Sequence, residues 1–127
     1  MRTARPFARA WRRQARIEDG FSGSSISVRR IEAEVIDPRT LKPLDVETIF
    51  RSVQKTGRLV VVNEGHLTGG FTAEVAAKVQ REAFDWLDAP IVQVATEDVP
   101  LPYAGPLEIE AIPNEQDILT AVQSVIH

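Results

Sequence analysis

The run from Leu59 to Val62 constrains the fold of this chain more than any other part of its sequence. Four consecutive apolar residues give a strand two apolar faces, which is typical of a strand buried inside a parallel sheet. No uninterrupted apolar run is longer, and a membrane-spanning helix needs about 20 such residues, so the sequence predicts no transmembrane helix. The strand is expected to end at Asn63–Gly65.

Amphipathic helices are predicted before and after this strand in the sequence. Asp45 is a suitable N-cap for the first helix, and Gly57 is its expected left-handed stop. The second helix is predicted to begin near Gly69–Thr72 and to end near Leu87. Apolar residues at helical spacing mark the inner faces, at Val46, Ile49, Phe50 and Val53 in the first helix and at Val75, Ala76, Val79, Ala83 and Leu87 in the second.

Further strands and one more helix complete the pattern. Short β-prone runs predict strands at 33–36 and 91–95. Asn114 is predicted to cap a last helix, whereas four prolines predict irregular backbone over 96–113. This alternation is typical of an α/β fold with parallel strands and helices on both faces of the sheet. Because a three-stranded sheet has exposed edges, we expect an extra strand or a partner subunit.

Charge separates the first 30 residues from the rest. Residues 1–30 hold eight arginines and two acids, a formal charge of +6, while residues 31–127 hold seven lysines and arginines against sixteen acids, a charge of −9. We therefore expect a basic leader over 1–30 and one domain over 31–127. The net charge of −3 argues against nucleic-acid binding, and the absence of cysteine excludes disulfides and thiolate sites.

Six segments of the body have long and unusual sequences. They read IEAEVIDPRTLKPLD at 31–45, TGRLVVVNEG at 56–65, GGFTAEVAA at 69–77, EAFDWLDAP at 82–90, DVPLPY at 98–103 and IPN at 112–114. In order and spacing they resemble the C-terminal domain of the beta subunit of thiamine-diphosphate-dependent 2-oxo acid dehydrogenases. That group includes the pyruvate, branched-chain and acetoin dehydrogenases.

The resemblance implies the transketolase C-terminal fold, a three-layer α/β/α unit around a five-stranded, mostly parallel sheet. Residues 1–30 do not resemble the first strand and helix of that family, so these two elements are expected to be absent. Three interpretations of the leader are open. It is a truncated or frame-altered gene product, an organellar presequence, or a helix from Phe7 to Ile17 that covers the sheet.

The resemblance implies thiamine diphosphate and Mg²⁺ in an assembled complex, but not on this chain alone. In the family, a Gly-Asp-Gly motif of the alpha subunit and the N-terminal domain of the beta subunit hold the cofactor. This sequence contains no Gly-Asp-Gly, and its His, Asp and Glu residues lack metal-ligand spacing. We therefore predict no catalytic residue and no metal site within it, and we expect no decarboxylation by the chain alone.

Polar and glycine residues follow the apolar strand. Glu64 and His66 lie just past its carboxyl end, where ligands of parallel sheets usually bind. Gly69 and Gly70 lie at a predicted helix start, whose free N–H groups can hold an anion. One interpretation is a small-anion site; the other is a strand-to-helix turn with structural or interfacial hydrogen bonds.

A second set of candidate residues concerns partners. In the resembled family, paired beta subunits capture the basic subunit-binding domain of the dihydrolipoyl acyltransferase. Asp85, Trp86, Asp88 and the terminal His127 are the candidate contacts, because acids and a terminal carboxylate attract a basic partner. Exposed acids and a solvated terminus are the alternative interpretation.

The sequence therefore predicts an assembly domain of a 2-oxo acid dehydrogenase decarboxylase beta subunit. Its expected partners are a cognate alpha subunit, a second beta subunit and the acyltransferase, with no nucleic acid and no membrane. A free-standing small-anion-binding α/β module is the alternative. The expected location is the bacterial cytoplasm, or the mitochondrial matrix if the leader is a presequence.

Overall fold

A computed structural model describes residues 11–18 and 30–126. The chain divides into two compact units, Met1–Ser52 and Val53–His127. The boundary expected at residue 30 stays a prediction, because residues 19–29 lie outside the described part. The elements are β1 Trp11–Glu18, β2 Arg30–Asp37, α1 Val46–Thr56, β3 Val60–His66, α2 Phe71–Ala83, a 3₁₀ turn Phe84–Trp86, β4 Val92–Thr96, α3 Gly105–Ala111 and α4 Glu115–Ser124.

In the first unit, β1 and β2 form an antiparallel pair. Its register runs from Trp11 opposite Asp37 to Glu18 opposite Arg30. The helix predicted over Phe7–Ile17 is therefore wrong from residue 11 onwards, because pairing with β2 outweighs the helical propensity of this segment.

Helix α1 has the boundaries that its capping residues predict. The Asp45 carboxylate accepts hydrogen bonds from the Thr48 backbone N–H at 3.2 Å and from the Thr48 hydroxyl at 2.8 Å. Gly57 ends the helix with φ of 68°. Ile49 and Val53 are buried, as the periodicity predicts.

In the second unit, β3 and β4 form a parallel pair with α2 and α4 packed against it. Val60 lies opposite Val92, and His66 lies opposite Thr96, with an irregularity between Val62 and His66. The α/β class predicted from the alternation is confirmed. The buried apolar residues of this unit are Val53, Val75, Val79, Ala83, Val94, Ala121 and Val125.

Two expectations about the sheet are wrong. The strand predicted at 33–36 is present as β2, but it pairs with β1, so the parallel sheet of the described residues has two strands rather than three. Strand β3 is also less buried than its apolar run predicts, with Val62 46% exposed. β4 is the one described strand beside β3, so the other edge of β3 has no described strand whose side chains could shield it.

The segment predicted to be irregular contains a helix. α3 accommodates Pro106 because proline at the first helical turn removes no intrahelical hydrogen bond. The second predicted helix ends as α2 at Ala83 and continues as the 3₁₀ turn instead of reaching Leu87 as one helix. The described residues include no helix long and apolar enough to cross a membrane.

Arg58 links the ends of two helices. Its Nε donates to the carbonyl oxygen of Val125 at 2.5 Å, just past α4. Its Nη1 donates to the carbonyl oxygen of Thr56, the last residue of α1, at 3.3 Å. A cation is favourable at both positions, since helix C-termini carry partial negative charge.

Candidate functional site

The carboxyl ends of β3 and β4 lie side by side, because the two strands are parallel. The Thr96 hydroxyl donates to the carbonyl oxygen of Glu64 at 2.6 Å. The backbone N–H of Leu67 donates to the carbonyl oxygen of Thr96 at 3.1 Å. Thr96 is completely buried, so these bonds fix the positions from which the two following loops depart.

His66 is oriented by the loop that follows β4. Its Nδ1 lies 3.0 Å from the carbonyl oxygen of Glu97. A carbonyl oxygen can only accept, so Nδ1 carries the hydrogen. In the neutral ring Nε2 is therefore the atom that can take up a proton.

Thr68 and Asp98 join the same two loops. The Thr68 backbone N–H donates to Oδ1 of Asp98 at 2.9 Å, and the Thr68 hydroxyl donates to Oδ2 at 2.5 Å. The bond from the Thr68 hydroxyl, followed by that from its N–H, lowers the pKa of Asp98, and the positive charge of a protonated His66 nearby acts in the same direction. Sequence reasoning missed both residues, although Thr68 and Asp98 each lie two residues past the end of a parallel strand.

Position 70 requires glycine because another part of the backbone lies very close to it. A Cβ at this position would collide with the carbonyl oxygen of His66. Gly70 is the N-cap of α2 and provides no side-chain cap, while Gly69 is exposed beside it. At the start of α2 the Thr72 hydroxyl is buried and has no hydrogen-bond partner among the described residues.

The structure brings the predicted strand-end residues only partly together. His66 and Gly70 meet through the His66 carbonyl, but the His66 ring is bonded to Glu97. Glu64 contributes its backbone carbonyl, while its side chain is exposed. The Asp98 carboxylate, bonded to Thr68 two residues before Gly70, makes this turn electrostatically unfavourable for an anion.

The predicted docking residues follow α2. Asp85 and Trp86 lie in the 3₁₀ turn, and Trp86 is 52% exposed. Asp88 packs over the end of α1: its N–H donates to the carbonyl oxygen of Gly57 at 2.7 Å, and a Cβ on Gly57 would collide with its carboxylate. His127 lies outside the described residues.

A further surface is rich in exposed apolar side chains, and we call it the apolar segment. It covers residues 99–109, from the loop after β4 into α3. Its exposed large apolar residues are Val99, Leu101, Tyr103, Leu107 and Ile109. Single exposed apolar residues are ordinary, whereas five within eleven residues of sequence make this segment a candidate interaction surface.

Known proteins were compared with the chain. The model of the transketolase C-terminal domain family matches residues 25–118. The chain belongs to this family. The fold implied by the six segments is thereby confirmed as the transketolase C-terminal α/β type, and the two parallel strands with their helices are consistent with a truncated form of that domain.

The curated relatives of this transketolase C-terminal domain are beta subunits. The chain is 56% identical over 97 residues to the pyruvate dehydrogenase E1 component subunit beta of Rickettsia bellii, covering 76% of this chain and 30% of that protein. It is 43% identical over 106 residues to the corresponding subunit of Rhizobium meliloti, covering 84% of this chain and 23% of that protein. It is 47% identical over 95 residues to the mitochondrial subunit of Dictyostelium discoideum, covering 75% of this chain and 27% of that protein.

The chain therefore spans less than a third of the length of the curated relatives that it matches. The resemblance to 2-oxo acid dehydrogenase beta subunits is confirmed at the level of the domain.

Proposed function

We propose that this domain is an assembly domain of a 2-oxo acid dehydrogenase decarboxylase beta subunit. The observation that carries the proposal is the apolar segment, which exposes five large apolar side chains over eleven residues. Burying such side chains against another chain is favourable by about 25 cal/mol per Å² of apolar surface. The beta-subunit relatives support the same conclusion.

The proposed partners of the apolar segment are a cognate alpha subunit and a second beta subunit. We assign the subunit-binding domain of the dihydrolipoyl acyltransferase to a different surface, formed by Asp85, Trp86 and Asp88, with His127 as a further candidate. Trp86 is an exposed aromatic anchor beside two acids, an arrangement suited to a basic partner.

Thiamine diphosphate and Mg²⁺ are proposed to bind other parts of such an assembly. Within residues 11–18 and 30–126, no group of three or more His, Cys, Asp or Glu side chains is placed to hold a metal ion. The residues present here do not fit a diphosphate–metal group, so we derive no catalytic step on them. The proposed role of the chain is to support oxidative decarboxylation of a 2-oxo acid.

The proposed location follows from the relatives, which include bacterial and mitochondrial proteins. We propose the bacterial cytoplasm, or the mitochondrial matrix for a form whose first 30 residues act as a presequence. Fusing residues 1–30 to a fluorescent protein tests the second alternative. Import into isolated mitochondria supports it, and exclusion from them overturns it.

The decisive experiment measures association. The purified full chain is mixed with a cognate alpha subunit, and the mass of the product is followed by light scattering. We expect a stable complex, and we expect the double variant Leu107→Ser/Ile109→Ser to weaken it about tenfold or more, because interface anchors dominate binding energy. The control variant Leu41→Ser changes a residue that is 59% exposed but lies outside the apolar segment.

One result would overturn the assembly proposal in favour of the small-anion module. It is a chain that stays monomeric with every cognate subunit yet binds inorganic phosphate, with a loss of binding in Gly70→Ala. We do not expect that result, because carboxylate charge near Gly70 disfavours phosphate binding.

A further inference from the structure

A groove runs along β4 on the side away from β3. Its volume is about 500 Å³, and its opposite wall is formed by the end of α3, the following turn and α4. Four consecutive strand residues line it, from Val92 to Ala95. Successive side chains of a strand point to opposite faces of the sheet. Four consecutive residues can therefore line the same groove only if the groove follows the edge of the strand.

This edge of β4 has unpaired backbone groups. The N–H of Val92 bonds to the carbonyl of Leu59, and the carbonyl of Thr96 accepts from Leu67, so the even-numbered residues of β4 are bonded towards β3. In a parallel ladder the backbone of the intervening residues, Gln93 and Ala95, points the other way. No further strand of the described chain pairs with this edge.

The walls of the groove are negatively charged. Glu97, Glu110 and Asp117 line it, and among the described residues that line it there is no lysine, arginine or histidine. The Oε1 atom of Gln93 is buried and has no hydrogen-bond partner in the described part of the chain. A buried acceptor without a donor is unfavourable, so an occupant that brings N–H groups is favoured.

We propose that this groove binds an extended basic peptide segment of another protein as an added strand on β4. The free N–H and C=O groups of Gln93 and Ala95 bond to the backbone of the peptide, as in other cases of strand addition. Lysine or arginine side chains of the peptide pair with Glu97 and Glu110. The site does not depend on the apolar segment, since neither Leu107 nor Ile109 lines the groove.

The test uses a short synthetic peptide of alternating valine and arginine and the full chain. Binding is measured by isothermal titration against three variants: Glu97→Gln/Glu110→Gln, Gln93→Leu and the control Glu108→Gln. Glu108 lies on the same helix as Glu110 but does not line the groove. We expect the double variant to weaken binding about five- to tenfold, as the loss of two partly exposed charge pairs implies.

Gln93→Leu is expected to weaken binding without lowering the melting temperature, and Glu108→Gln is expected to change neither binding nor the melting temperature. Methylating alternate backbone nitrogens of the peptide should abolish binding, because it removes the donors that strand addition needs. Equal binding of the methylated peptide, of a valine–glutamate peptide or of Glu97→Gln/Glu110→Gln would overturn the proposal. Full competition by arginine amide alone would also overturn it, since the occupant would then be a cation rather than a strand.

Discussion

The two strand pairs of this chain are formed for different physical reasons. The β1–β2 pair is antiparallel, continuous over eight residues on each strand, and only partly buried on its β2 side, where Val35 is 49% exposed. The β3–β4 pair is parallel and shorter, helices pack against it, and its unit contains seven of the eight buried apolar residues of the described chain. Side-chain burial therefore stabilises the unit of the second pair more than it stabilises β2, the described side of the first pair.

The largest expected effect comes from comparing a buried position of the second unit with an exposed position on β2. Val53→Asp should lower the free energy of unfolding by about 3–5 kcal/mol, because it places an unpaired carboxylate where the side chain is 1% exposed. The matched change Val35→Asp on β2 should cost less than about 1 kcal/mol. Urea denaturation followed by circular dichroism measures both, and similar losses would contradict the comparison.

A smaller effect is expected where the backbone of the second unit is closely packed. Gly70→Ala should lower the free energy of unfolding by about 2 kcal/mol, because the new Cβ forces the His66 carbonyl to move. The control Gly105→Ala has open space around the added atom. Thermal unfolding compares the two variants, and an unchanged midpoint for Gly70→Ala would show that the loop shifts without cost.

The loss of a helix cap should be smaller again. The Asn114 side chain accepts from the N–H groups of Gln116 and Asp117 at 2.8 and 3.1 Å. Asn114→Ala should cost about 1 kcal/mol and speed amide exchange in the first turn of α4. The control is Gln80→Ala, an exposed position on α2. If amide exchange at Gln116 and Asp117 were unchanged, the cap would have no role in stability.

The smallest effect concerns pH and the loops after β3 and β4. The pKa of Asp98 is lowered from its ordinary value of 3.8, chiefly by the Thr68 hydroxyl. The stabilisation is therefore present above that value and is lost as pH falls through the lowered pKa of the folded state. Carbon-detected NMR titration of the full chain should show the shift, and Thr68→Val should return the Asp98 pKa towards 3.8. An unshifted pKa in the unmodified chain would contradict the Thr68–Asp98 geometry.

Local signals in the sequence predicted the helices well. Asp45, Gly57 and Asn114 act on backbone groups within a few residues of themselves, so their effects can be read without knowing the fold. The sequence does not predict helix α3, because proline usually interrupts a helix, although the first turn of a helix tolerates it.

Contacts between distant segments were not predictable in the same way. The pairing of β2 with β1 depends on which strand is available as a partner, and the periodicity of β2 carries no such information. The Thr68–Asp98 bonds join residues thirty positions apart, so they exist only once the parallel pair has formed. The resemblance supplied the fold family but not these contacts.

Arg58 gives the end of the chain an influence on its middle. Because one guanidinium bonds to the carbonyl oxygens of both Thr56 and Val125, removal of Val125 by a protease takes away one acceptor and leaves the Arg58 cation with fewer hydrogen bonds. Unwinding at the end of α4 then also loosens the final turn of α1. A tag or fusion that displaces the carbonyl oxygen of Val125 is consequently expected to disturb the end of α1 as well.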